Sequence, residues 1–172
     1  MNAGDEIVVI VDEHNEVVGS APRREMRARR LPHRSTYILV FNSRGELFVQ
    51  KRADSKDVHP GCYDPVAGGV VLAGESYEAG ALRELEEELG IRGVPLERHF
   101  EFYLADEDVR VWGAVFSCVY DGPLRLQEEE ISSGEFLPVD DVLRRARAEP
   151  FTPDGMYALR RYLDETPGRG VA

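Results

Sequence analysis

Residues 69–91 read GVVLAGESYEAGALRELEEELGI and carry the clearest helical pattern in the chain. The spacing predicts a helix from Ser76 to Leu89, in which Ser76 caps the first turn and Gly90 ends the last. Apolar residues recur at intervals of three and four and predict a buried stripe along one face. These residues are Ala79, Leu82, Leu85 and Leu89.

Carboxylates crowd the last turns of this predicted helix. Glu84, Glu87 and Glu88 share one face at i, i+3 and i+4, roughly opposite the apolar stripe. Like charges at this spacing repel by about 0.2–0.5 kcal/mol, and carboxylates in a last turn oppose the helix dipole by about 0.3–1 kcal/mol. A solvated charged face is the simple alternative. A divalent cation would turn the repulsion into coordination, and clustered hard oxygens suit Mg²⁺ or Mn²⁺.

Size and charge limit the class of protein. The chain has 172 residues, of which 42% are hydrophobic, enough for one compact domain. Its net charge of −11 disfavours stable binding to nucleic acid. No apolar run approaches the roughly 18–20 residues of a membrane span, and the N-terminus is acidic, so we expect no membrane insertion and a cytoplasmic location. Cys62 and Cys118 lie in no metal-binding spacing and are expected to be free thiols.

The remaining patterns predict strands on both sides of the helix and further helices at the end. Alternating and β-branched runs predict strands at 6–12, 16–21, 34–42, 46–52, 96–104, 109–120 and 131–139. Amphipathic spacing predicts helices at 139–148 and 152–165, and a short basic helix or turn is expected at 24–30. This order predicts an α/β fold with a mixed sheet, helices packed on it and an N-terminal hairpin.

The segment 69–91 also matches, without a gap, the pattern Gx5Ex7REUxEExGU, where U is a bulky aliphatic residue. Its defined positions are filled by Gly69, Glu75, Arg83, Glu84, Leu85, Glu87, Glu88, Gly90 and Ile91. This pattern resembles the Nudix box. The resemblance implies an α/β/α sandwich and a hydrolase of nucleoside diphosphates linked to another group. On this basis we divide the single domain, residues 1–172, into a hairpin extension, a Nudix core and a loose tail, at 1–31, 32–165 and 166–172.

The resemblance implies a metal site on the glutamate face, which we define as Glu84, Glu87 and Glu88. Glu88 resembles the principal ligand, the other two glutamates complete the cluster, and the backbone carbonyl of Gly69 adds a ligand. Mg²⁺ is the expected cofactor, and Mn²⁺ is expected to substitute for it. Hydrolysis also needs a base for the attacking water, for which Glu84 is the first candidate and Glu130, in the run QEEEI, is the second.

Other residues of the box are expected to hold the carboxylates in place. Arg83 should pair with Glu87 one turn on, or with Glu75, and we count Arg83 and Glu87 with the catalytic residues. Glu75 and Gly90 are interpreted as structural support. Gly68, together with the glycine after it, would let the backbone approach metal and phosphate closely.

Flanking segments resemble the isopentenyl-diphosphate isomerase-like branch of the Nudix proteins. The resemblance lies in VDEHNEVVG, LPHRSTYILVFN and LFVQKRADSKDVHPGCYDPVAGG, at 11–19, 31–42 and 47–69. Ala67 and Gly69 stand where the isomerases have a cysteine and a histidine, so a catalytic proton donor or acceptor is missing. His33 matches an isomerase metal ligand, but Met26 and Arg27 stand near the place of another histidine.

Cationic residues outside the box are candidates for contacts to substrate phosphate. We expect such contacts from Arg34, Lys51, Arg52 and His33. Aromatic candidates for stacking on a base are Tyr63, Tyr77, Phe102, Tyr103 and Trp112.

The leading hypothesis is a Mg²⁺-dependent pyrophosphohydrolase whose partner is a small nucleotide, a nucleoside di- or triphosphate or a nucleoside diphosphate derivative. The alternatives are a ligand-binding sensor without turnover and an isopentenyl-diphosphate isomerase. Two roles are open for the N-terminal hairpin, an edge that pairs in a homodimer or a lid over the pocket, and the sequence does not determine the oligomeric state.

Overall fold

The computed structural model describes residues 2–167, so most of the predicted tail at 166–172 lies outside the described residues. The strands are β1 (Ile7–Val11), β2 (Val17–Pro22), β3 (His33–Phe41), β4 (Leu47–Arg52), β5 (Tyr63–Asp64), β6 (Glu97–Ala105), β7 (Arg110–Val119) and β8 (Ile131–Leu137). The helices are α1 (Arg23–Arg29), α2 (Tyr77–Leu89), α3 (Val139–Arg145) and α4 (Pro153–Glu165), and a 3₁₀ turn covers Ala3–Asp5. The order agrees with the sequence pattern, except that β5 lies in a segment predicted as a loop.

The strands of the described chain form one mixed sheet around β3. β3 runs parallel to β7 along its whole length and meets β1 and β4, both antiparallel, at its two ends. β2 extends the sheet beyond β1, β6 beyond β7, and β5 and β8 beyond β4. The segment that leads into the box, residues 67–72, bridges to β3 at Ile38 and Ser35 and to β1 at Val8. The box is therefore anchored against the middle of the sheet.

Alternation along β3 places helices on both faces of the sheet. Ile38 and Val40 belong to the apolar cluster that includes the buried residues of α2. Leu39 and Phe41 point the other way, into the cluster with α3 and α4. A strand buried on both faces is expected in a layered α/β protein. The α/β/α sandwich and the N-terminal hairpin, formed by β1 and β2, are both confirmed.

Helix α2 is capped as predicted but presents a different face to the sheet. Ser76 Oγ accepts the N–H of Ala79 at 3.1 Å, and Gly90 ends the helix with a φ of 70°. Leu82 of the predicted stripe is 48% exposed, whereas Glu88 is only 5% exposed. The buried residues are Tyr77, Gly80, Ala81, Leu85, Glu88 and Leu89.

The predicted position of the glutamates, opposite the buried stripe, is therefore wrong. Gly80 and Ala81 are small, and a side chain at Gly80 would already touch Val71 and Thr36. This arc of the helix can thus approach β3 closely and carries Glu88 and Glu84 inward, while Glu87 stays 49% exposed. The spacing of residues along a helix gives the angles between their side chains, but it does not show which side of the helix packs against the sheet.

Two further expectations concern the chain as a whole. Among residues 2–167, the structure has no helix with the length and apolar character of a membrane span. Cys62 and Cys118 are free thiols, as predicted.

Candidate active site

A cavity of about 520 Å³ opens beside the glutamate face of α2. This volume lies within the roughly 300–1,000 Å³ typical of ligand pockets. The charged side chains in its wall are Glu6, Arg23, Arg27, Arg52, Lys56, Asp64, Glu84, Glu87, Glu88, Glu129, Glu130 and Asp154. Carboxylates and cations thus share one cavity, which suits a ligand with a high local charge.

Gly68 and Gly69 pass between β3 and the glutamate face. Gly68 N–H donates to Glu88 Oε1 at 2.9 Å, and Gly69 N–H donates to Thr36 Oγ1 at 3.2 Å. A β-carbon on Gly68, whose φ is +132°, would overlap the Thr36 carbonyl oxygen, and one on Gly69 would lie 2.8 Å from Glu84 Oε1. Gly68 therefore needs glycine, whereas a β-carbon at Gly69 would displace the Glu84 carboxylate from its present position.

Arg83 holds the carboxylates of the box together. Its Nε and Nη2 donate to the two oxygens of Glu75 at 2.7 and 3.0 Å. Its Nη1 donates to Glu84 at 2.9 Å and to Glu87 at 3.2 Å. Arg83 thus makes both of the predicted alternative pairs at once. Burial works against ionisation of Glu75, but the hydrogen bonds from Arg83 and from the Leu72 N–H outweigh it and lower the pKa of Glu75.

Glu88 is buried, and Glu84 beside it is 14% exposed and forms an ion pair with Arg83. Burial raises the pKa of Glu84 to about 7, and the Arg83 guanidinium opposes the shift. Burial and the neighbouring Glu84 raise the pKa of Glu88 well above its usual value. No three His, Cys, Asp or Glu side chains of residues 2–167 converge as a ready metal-binding group. Arg83 and the Gly68 N–H hold the oxygens of this pair instead.

Glu130 reaches the cavity from the loop that wraps the C-terminal end of α2. In this loop Arg125 N–H donates to the Leu89 carbonyl at 3.0 Å and Gln127 N–H donates to the Glu88 carbonyl at 2.9 Å. These bonds satisfy carbonyls that the helix end leaves free. Glu130 itself forms an ion pair with Lys56. The second candidate base thus lies in the cavity wall with the glutamate face.

Only part of the predicted phosphate-binding set lines the cavity. Arg52 does so and lies 3.5 Å from Asp64, while its Nη2 donates to the Val58 carbonyl at 2.9 Å. Arg34 and Lys51 are not among the lining residues. Arg34 donates to the side chain and backbone oxygens of Asn15 at 2.9 and 2.7 Å, which ties β3 to the N-terminal hairpin.

His33 lines the cavity as a neutral imidazole. Its Nδ1 lies 3.0 Å from the Leu31 carbonyl, and its Nε2 lies 3.5 Å from Arg27 Nη1. Burial, with Arg27 adding to it, lowers the pKa of His33 to about 3. The atom that resembles an isomerase metal ligand thus faces a guanidinium, which would repel a metal ion. The structure therefore offers no isomerase-like metal site at His33.

Several cavity residues carry no signal in the sequence. Tyr37 O–H donates to Asp154 Oδ2 at 2.8 Å, although the two residues are far apart in the chain. Burial raises the pKa of Asp64 to about 7, with Arg52 opposing the shift and Asp154 adding to it. Lys56 is likewise revealed only by its place beside Glu130. The aromatic residues predicted as stacking candidates are not among the lining residues; these are Tyr63, Tyr77, Phe102, Tyr103 and Trp112.

Comparison with known proteins places this geometry in a family. The NUDIX domain model matches residues 31–159. The uncharacterized Nudix hydrolase PA4841 of Pseudomonas aeruginosa is 52% identical over 159 residues, covering 92% of this chain and 94% of its own. The uncharacterized Nudix hydrolase YfcD of Escherichia coli K12 is 48% identical over 161 residues, covering 94% and 88%. The crystal structure of DR0079 from Deinococcus radiodurans superposes with a TM-score of 0.77 at 28% identity, covering 91% and 98% of the two chains. The chain therefore belongs to the Nudix family of hydrolases, which act on pyrophosphate bonds.

Proposed function

We propose that this Nudix hydrolase uses Mg²⁺, for which Mn²⁺ substitutes, to cleave a phosphoanhydride bond of nucleoside di- or triphosphates or nucleoside diphosphate derivatives. The observation that carries the proposal is the burial of Glu84 and Glu88 side by side in the wall of a charged cavity. Two buried carboxylates destabilise the fold unless a cation offsets them. A hard, oxygen-preferring cation fits this donor set.

The glutamate face and the neighbouring backbone are the groups that would hold the cation. The Gly69 carbonyl accepts the Thr36 N–H at 2.9 Å and the Thr36 hydroxyl at 3.4 Å, so it would bind the cation only in place of the longer hydroxyl bond. In a trans peptide the carbonyl points opposite to the N–H of the next residue. Because the Gly69 N–H is directed at Thr36, the Gly68 carbonyl points away from β3, and we propose it as an additional ligand.

When bound, Mg²⁺ supplies charge neutralisation at the phosphoryl oxygens and makes a bound water more acidic. The chain must then accept a proton from the attacking water. Glu84 is suited to this role because its carboxylate lines the cavity beside Glu88 and is held in place. Arg83 fixes the Glu84 carboxylate through Nη1. Glu130, held by Lys56, is the second candidate.

The cationic wall would receive the phosphates. Arg52 and Lys56 both line the cavity, and the partner of each is a carboxylate that also lines it, Asp64 and Glu130. Phosphate oxygens can replace or share these partners through charge-assisted hydrogen bonds. The cationic residues of the cavity wall would thus bind the phosphates, and a carboxylate of the same wall would accept the proton.

The test is phosphate and pyrophosphate release from a panel of nucleoside di- and triphosphates, nucleotide sugars, dinucleoside polyphosphates and coenzyme A, each with Mg²⁺ or Mn²⁺. Turnover that requires the metal is the expected result. Absence of turnover across the panel would contradict the proposal. The variants Glu84→Gln and Glu130→Gln test which carboxylate is the general base. Only the variant that lacks the base should lose the fall in kcat at low pH.

A further inference from the structure

Arg23 and Arg27 bring the N-terminal extension into the cavity wall. Both lie on α1, one turn apart, and precede residues 31–159, which match the Nudix family model. Both line the cavity, and their side chains are only 12% and 19% exposed. The α1 segment thus contributes buried cations to the site from outside the family-matched region.

These two guanidinium groups share a single close carboxylate. Arg23 donates from Nε and Nη2 to the two oxygens of Asp57 at 3.0 and 3.2 Å. Arg27 donates only from Nε, to an Asp57 oxygen that Arg23 already uses, at 3.3 Å. Glu6 lies 3.9 Å from Arg23, beyond hydrogen-bond distance. Within hydrogen-bond distance the two guanidinium groups therefore share one carboxylate, and Glu6 and Glu130 act on Arg23 only at longer range.

The surroundings of Arg27 do not supply the missing negative charge. Its Nη1 faces Nε2 of His33 at 3.5 Å, and this imidazole is neutral. Its remaining N–H groups have no hydrogen-bond acceptor among residues 2–167. Burial lowers the pKa of Arg27, with Asp57 opposing the shift and Arg23 adding to it. A planar guanidinium with free donors, held in a cavity, is suited to a tetrahedral anion.

We propose that Arg27, assisted by Arg23, binds an additional phosphate group of the substrate, one that is not part of the phosphoanhydride cleaved at the glutamate face. This inference rests on the proposed function and narrows its substrate class. The substrate would be a nucleoside triphosphate or a nucleoside diphosphate derivative with an additional phosphate. Lys56 connects the two ends of the cavity, since it pairs with Glu130 and acts electrostatically on both Asp57 and Glu84.

The first test is calorimetric titration of the full chain with inorganic pyrophosphate in EDTA. We compare wild type with Arg27→Met, which keeps an unbranched apolar stem but removes the guanidinium group. Arg24→Met is the matched control, because Arg24 lies on the same helix, is 64% exposed and pairs with Asp5. We expect wild type and the control to bind equally and Arg27→Met to bind about tenfold to a hundredfold more weakly.

Absence of metal-free binding by wild type would overturn the proposal, as would equal affinity in Arg27→Met. Because the titration needs neither metal nor turnover, its failure is distinct from failure of the proposed hydrolysis. In steady-state assays, Arg27→Met should raise KM for a substrate with the additional phosphate and leave KM unchanged for the analogue that lacks it.

Thermal unfolding excludes a purely structural role. Since Asp57 keeps both hydrogen bonds from Arg23, removal of the Arg27 charge should leave the melting temperature unchanged or raise it. A lower melting temperature combined with unchanged pyrophosphate affinity would make Arg27 a structural ion pair and overturn the proposal.

Discussion

Replacing Glu88 by Gln tests two effects of this carboxylate, the stability that its burial costs and the metal binding that it supports. Glu88 is 5% exposed, accepts the Gly68 N–H at 2.9 Å and lies one turn from the buried Glu84. A glutamine side chain has nearly the same shape and keeps an oxygen for the Gly68 N–H. The substitution therefore removes the acidic group and changes little else.

In metal-free buffer we expect Glu88→Gln to be more stable than wild type. Because burial and the neighbouring Glu84 raise the pKa of Glu88, folding near neutral pH must either bury its charge or take up a proton, at a cost of about 1.4 kcal/mol for each tenfold change in proton affinity. A gain of about 2 kcal/mol would raise the melting temperature by about 4–8 °C for a chain of this size. The gain is possible because Glu88 has no cationic side chain within ion-pair distance among residues 2–167.

Mg²⁺ should reverse this order. A ligand at a hundred times its Kd stabilises the folded state by about 2.7 kcal/mol, so wild type should overtake the variant, which gains little. Phosphate release by Glu88→Gln should fall by about a hundredfold or more, since the loss of even an outer partner of a metal site lowers activity by about 10–100-fold. Thermal unfolding in EDTA and in Mg²⁺, together with phosphate release, measures these effects.

Glu86→Gln is the matched control because it removes the same charge from the same helical turn. Glu86 is 48% exposed and pairs at 2.8 Å with Arg92, away from the cavity. We expect its melting temperature and turnover to match those of wild type. The reasoning about the glutamate face is refuted if Glu88→Gln keeps Mg²⁺-dependent stabilisation and turnover. It is also refuted if Glu86→Gln loses stabilisation and turnover to the same extent as Glu88→Gln.

Three further substitutions test other parts of the cavity. Gly68→Ala should unfold at a urea concentration well below that of the control Gly74→Ala, because only the Gly68 β-carbon would meet a backbone carbonyl; equal midpoints would contradict the close approach. Burial raises the pKa of Asp64 to about 7 in the fold, against about 3.9 in an unfolded chain, so the unfolding free energy should fall by about 4 kcal/mol between pH 4 and 7. Asp64→Asn should abolish this part of the pH dependence, measured by urea titration at each pH. Arg52→Ala should raise KM while Lys51→Ala leaves it unchanged, because only Arg52 lines the cavity; equal effects would place the phosphates elsewhere.

Local features of the fold could be predicted because they depend on neighbours in the chain. The caps at Ser76 and Gly90 require one side-chain oxygen and one left-handed residue, and both appear in the structure. The strands were found from alternation, with errors of a residue or two at their ends. β5 was missed because two residues are too few to show a period, and its pairing with β4 depends on contacts distant in sequence.

The sequence by itself determined the Nudix box, the capped helix and the identity of the charged residues. Tertiary structure decided which of them share a cavity. Helical spacing relates Glu84, Glu87 and Glu88 to each other, but packing at Gly80 turned Glu84 and Glu88 toward the sheet and left Glu87 exposed. Of residues 51 and 52 only Arg52 lines the cavity, and the register of β4 against β8 shifts between them, which the sequence pattern does not show. Arg23 and Arg27 of α1 both pair with Asp57, about thirty residues further along the chain. No local sequence pattern relates these segments, because their contact forms only when the chain folds.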